Sequence, residues 1–136
     1  MKSTNYFDML IEVAEDCPAS TGEIPPIRGK KLSVANLQYE MLFEHPYKFS
    51  SDDVLFSVFA TRKEIQNSKL IQQRELFFSK GQPCFRASPL TKRYGWGIHS
   101  DNEGKIAMFG VETKEYKNLV TDESVTKKKA MRSKRA

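Results

Sequence analysis

From Tyr6 to Val13 the chain alternates, with Phe7, Met9, Ile11 and Val13 set against Tyr6, Asp8, Leu10 and Glu12. A period of two predicts a strand at about residues 5 to 13 with one face in a core. From Glu15 to Lys31 the pattern disappears, and Pro18, Gly22, Pro25, Pro26 and Gly29 accumulate. These residues do not sit inside regular elements, so the stretch reads as a long ordered loop or an active-site cover. Ser33 can cap a helix in which Val34, Leu37, Met41 and Leu42 recur on one face, and Pro46 ends it. Residues 50–60 send two messages: Ser50-Ser51-Asp52-Asp53 suits a helix start, whereas Val54-Leu55-Phe56-Ser57-Val58-Phe59-Ala60 has strand-like content. Helix is the reading placed slightly ahead. Leu70 to Ser79 reads as a helix stopped by Gly81, and Ser88-Pro89 as the start of a short helix ended by Gly95. Trp96–Ser100 and Lys105–Val111 flank the polar loop Asp101-Asn102-Glu103-Gly104, a β-hairpin in which the glycine takes a positive φ.

Strands at both ends with helices between them predict a single α+β domain, a mainly antiparallel sheet covered by helices, with the first strand joining the late hairpin. The chain has 136 residues, 39% of them hydrophobic, which allows one core and no second ordinary domain. The domain is expected over residues 1–120, followed by a basic, disordered tail over 121–136. No apolar run approaches twenty residues and no signal-peptide pattern opens the sequence, so the expected address is the cytoplasm, away from membranes. Cys17 and Cys84 are too few for a disulfide scaffold and fit free thiols in a reducing compartment.

The formal charge of +5 changes meaning once it is divided along the sequence, because Lys127, Lys128, Lys129, Arg132, Lys134 and Arg135 occupy the last ten positions. Without those six, 16 basic residues face 17 acidic ones. Any attraction for phosphate must then come from a local patch or from the tail.

Candidate chemistry concentrates between Cys84 and Lys105, which hold the only Trp, one of two Cys and one of two His. Arg86, Lys92 and Arg93 surround the predicted helix start at Ser88, where free amides and the positive dipole end favour an anion. Tyr94 and Trp96, set among glycines, offer aromatic faces to a ligand or simply fill the core edge. The leading expectation is a binding domain for a small anionic ligand, a nucleotide or phosphorylated metabolite, using Arg86, Ser88, Lys92, Arg93, Tyr94 and Trp96. One alternative is an enzyme with Cys84 as nucleophile and His99 as base, Asp101 orienting the imidazole. Another is a nucleic-acid or protein interaction module that uses the basic tail. No two Cys or His residues share a metal-ligand spacing, and neither a phosphate loop nor a dinucleotide fingerprint occurs, so neither metal nor cofactor is expected.

Four stretches carry a resemblance: Ser3-Thr4-Asn5-Tyr6-Phe7, Ile11 to Pro18, Ser51 to Phe56, and Arg86-Ala87-Ser88-Pro89-Leu90-Thr91-Lys92-Arg93-Tyr94-Gly95-Trp96-Gly97-Ile98-His99. Through them the chain resembles a family of small uncharacterised microbial proteins of unknown function. The resemblance covers nearly everything before the tail and implies no activity, cofactor or catalytic residue.

Overall fold

The computed structural model of the chain describes residues 2–133. Strand β1 (Met9–Glu12) precedes helices α1 (Val34–Glu44), α2 (Ser51–Arg62) and α3 (Leu70–Phe78) and the one-turn helix α4 (Pro89–Lys92). Strands β2 (Trp96–Ser100) and β3 (Ile106–Gly110), helix α5 (Lys114–Thr121) and strand β4 (Thr126–Lys129) follow. The strands form one sheet in the order β3-β2-β1-β4. The first strand joins the late hairpin as expected: β1 lies antiparallel to β2, with Leu10 opposite His99, and β2 antiparallel to β3, with Ile98 opposite Met108. The hairpin turn is tied by Asp101, whose Oδ1 accepts from the Glu103 and Lys105 amides, both at 2.9 Å, while Gly104 takes φ 81°.

One expectation is corrected here. The single-domain α+β architecture with its mainly antiparallel sheet stands, and one pairing is parallel, β4 running beside β1 with Leu10 opposite Lys127. That strand lies inside the stretch expected to be a disordered tail. Its lysine-rich sequence concealed it, since an edge strand tolerates polar side chains, and lysines there discourage pairing with another chain. Val125 and Ala130, both buried, anchor its two ends. The Lys127 ammonium donates to the Asp122 carbonyl, Lys128 lies 5.6 Å from the centre of the Tyr6 ring, and Lys129 reaches Glu15 at 3.5 Å. Residues 134–136 of the expected tail lie outside the described residues.

Alternation along the strands divides the sheet into two covered faces. Ile11, Ile98 and Ile106 meet Leu42 of α1, Val54 and Val58 of α2, and Phe85 and Leu90, forming the main core. On the other face Leu10 and Val125 pack against Tyr116 of α5. A third cluster, Phe56, Ala60 and Phe78, joins α2 to α3.

Helix α2 explains its own ambiguous sequence. Val54 and Val58, four apart, face the sheet, whereas Phe56 and Ala60, also four apart, face α3. Two helical stripes interleaved by two positions imitate strand alternation. A capping box decides in favour of helix, since Ser50 Oγ accepts from the Asp53 amide and Asp53 reaches back to the Ser50 amide, both at 3.1 Å. The N-terminal arm closes on the same turn: buried Asp52 accepts from the Thr4 amide, the Thr4 hydroxyl and the Ser3 hydroxyl, each at 2.7 Å.

Candidate functional site

Ser88-Pro89-Leu90-Thr91 builds α4 as a plug between α1 and β2. Ser88 Oγ accepts from the Leu90 amide at 3.1 Å, and Thr91 Oγ1 donates to the Phe85 carbonyl at 2.7 Å. Leu90 and Thr91 are fully buried, which fixes the plug in the core. The chain leaving it carries Lys92, Arg93 and Tyr94 into a hollow of about 390 Å³. The opposite wall of that hollow is the first turn of α1, Ser33 to Ala35, together with Arg62 from the end of α2. Ser33 caps α1 by accepting from the Asn36 amide at 3.2 Å, and Arg62 donates to the Leu32 carbonyl at 3.0 Å. Three cationic side chains therefore line the hollow, and among the described residues no carboxylate does. Arg74 and Lys129 each face a carboxylate, but Lys92 and Arg93 make no ion pair among the described residues.

Beside the hollow runs an apolar trench of about 330 Å³ that shares Val34, Arg62, Ala87 and Pro89 with it. Leu55, Val58, Phe59 and Phe77 form much of its wall, and Gln38, Cys84 and Ser88 contribute polar atoms. Ser88 Oγ donates to Gln38 Oε1 at 2.6 Å, and both residues are buried.

The other residues singled out in the sequence take different places. The Ser88 helix start is turned inward, and the cation-lined helix start is that of α1, itself capped by Ser33. Arg86 donates from Nε to the Lys129 carbonyl at 2.9 Å and accepts from the Met131 amide through its own carbonyl at 2.8 Å, which latches β4 to the body. Trp96 donates from Nε1 to the Glu23 carbonyl at 2.8 Å and tilts against Tyr39 at 5.8 Å between ring centres. It anchors the proline-rich loop, held further by the Glu23 amide on the Tyr94 carbonyl at 2.8 Å and by Asn36 Nδ2 on the Pro25 carbonyl at 3.0 Å. That loop covers the Trp96 end of the sheet; none of residues 15–31 lines the hollow.

The proposed nucleophile and base do not meet. Cys84 lies 3.3 Å from the Tyr6 hydroxyl, on the side of the main core, and this bond, aided by burial, pushes the Tyr6 pKa up. His99 stands on the other face of β2, with Nδ1 2.8 Å from the Tyr47 hydroxyl. Burial holds its pKa below the ordinary value, against the opposing pull of Asp101, Asp8 and Asp122. Among the described residues no cluster of three or more His, Cys, Asp or Glu is placed to hold a metal ion, and no helix is long and apolar enough to cross a membrane.

A family model matches the chain over residues 1–136. The chain belongs to a family of unknown function, DUF6157. No curated protein and no solved structure matches it. Sequence reasoning did not find Arg62, Gln38 or the first turn of α1 as parts of the site. The Ser33 cap marked that turn, but nothing local connects it with residues 92–94.

Proposed function

We propose that the protein binds a small anionic molecule, a phosphorylated metabolite or nucleotide, in the hollow between the start of α1 and the chain leaving α4. The observation that carries this reading is the set of three cations, Arg62, Lys92 and Arg93, around a hollow that no carboxylate lines among the described residues. The first amides of a helix have no intrahelical acceptor and carry the positive end of its dipole, so the Val34 and Ala35 amides add donors to the same charge. Tyr94 supplies an aromatic wall. Arg86 and Trp96 contribute indirectly, by holding β4 and the loop, and Ser88 by fixing α4.

Thermal denaturation in the presence of pyrophosphate, a sugar phosphate and ATP tests the reading. A ligand at a hundredfold excess over its Kd should raise Tm by roughly 8 °C. The rise should vanish in the double variant Lys92→Ala/Arg93→Ala. An unchanged wild-type Tm across the panel would overturn the reading.

A further inference from the structure

We infer that the anion is amphiphilic: its charged group sits among Arg62, Lys92 and Arg93, and an alkyl or aryl body lies in the adjoining trench with a hydrogen-bond acceptor facing Gln38. The inference rests on the anion-binding reading above and names the chemical class of its ligand. Continuity carries the first part. The trench and the basic hollow share Val34, Arg62, Ala87 and Pro89, so a molecule held by its charge at one end finds an apolar channel leading from it. The channel is walled by Leu55, Val58, Phe59 and Phe77, side chains that gain from apolar contact and give nothing to a free phosphate.

Gln38 carries the second part. Its side chain lines the trench, yet the residue is only 2% exposed. Ser88 Oγ already accepts from the Leu90 amide, so its proton goes to Gln38 Oε1. The Gln38 amide nitrogen has no protein acceptor among the described residues and keeps some contact with solvent through the trench. A carbonyl or ether oxygen on the ligand replaces that water in an otherwise apolar channel, where an all-hydrocarbon body would leave the donor unpaired at a cost. The combination selects a medium-length acyl or aryl anion with an oxygen part-way along its body, rather than a compact, fully polar phosphate ester.

Isothermal titration of the full chain with acetate, hexanoate, octanoate and decanoate, with the matching alkyl phosphates, and with inorganic phosphate tests this, all below the concentrations at which the amphiphiles aggregate. Affinity should rise about fourfold for each added methylene until the trench is filled. Whichever head-group series binds more tightly identifies the charge. Within a set of oxo-decanoates, at least one position of the carbonyl should bind more than fivefold tighter than decanoate, and Gln38→Leu should abolish that gain while keeping the chain-length dependence. Leu55→Trp, which fills the trench from a half-buried position, should weaken decanoate at least tenfold and leave inorganic phosphate unchanged, so the inference does not depend on Gln38→Leu folding. Binding of inorganic phosphate with no gain along either series overturns this inference and leaves the anion site standing. Failure of every anion to bind overturns both.

Discussion

His99 is held between the Tyr47 hydroxyl and the sheet, and burial outweighs the three carboxylates that favour its charged form. Its folded pKa therefore lies below the ordinary 6.5, and the unfolded chain binds this proton more readily. The stability it contributes is complete above 6.5 and is lost as the pH falls below that and through the lower folded value. Comparing urea midpoints at pH 8 and pH 5.5 should show a larger loss for the wild type than for His99→Gln; equal losses would remove His99 from this role. Asp52 is a second point of concentrated stability, because its carboxylate satisfies one backbone amide and two hydroxyls of the N-terminal arm. Asp52→Ala should cost about 3 kcal/mol, read from chemical denaturation, since it leaves the buried Thr4 amide without an acceptor and the Thr4 hydroxyl with Ser51 Oγ alone. At this scale the sequence was informative about residue types and silent about direction. The cap at Ser88 was legible, but its inward turn depends on Gln38, fifty positions earlier. Likewise Cys84 and His99 are only fifteen positions apart in sequence, yet the pleat of β2 sends His99 to the face that Cys84 does not share.

Most elements with one patterned face were legible, but α5, which packs Tyr116 against the sheet from one face, was not predicted. The hairpin, α1 and α3 follow their periodicity and their stops, whereas α2 carries two interleaved stripes that read almost as well as a strand, with helix only slightly ahead. Strand β4 has no apolar alternation because it is an edge, and its pairing with β1 is a contact between residues more than a hundred positions apart. Deleting residues 123–136 tests that strand directly. The deletion should cost at least about 3 kcal/mol, given that burying a side chain such as Val125 alone contributes about 2 kcal/mol. An unchanged urea midpoint would return the segment to the status of a dispensable tail. On the opposite face, Gly97 lies under Tyr116, whose Cδ2 is 2.7 Å from the place a Cβ would occupy, and Tyr116 is itself buried and bonded to the Val13 amide at 3.1 Å. Gly97→Ala should lower stability by about 2 kcal/mol, because α5 has to shift to make room; a melt within error of wild type would contradict this packing.

For the molecule as a whole, where the charge sits matters more than its sum. All of the excess positive charge lies in the last ten residues, and three of those cations are engaged in β4 or against its neighbours. The cations without carboxylate partners that gather in one concavity are Arg62, Lys92 and Arg93, brought together from segments thirty residues apart. Such a meeting is a property of the tertiary fold, which is why sequence reasoning reached Lys92 and Arg93 but neither Arg62 nor the start of α1. The most direct measurement is an amide-resolved NMR titration of the full chain with pyrophosphate at low ionic strength. Saturable shifts centred on Val34, Ala35 and residues 92–94, weakened at least tenfold by Arg93→Ala, are the predicted result. Shifts confined to Lys127–Lys129, or none that saturate, would contradict the account.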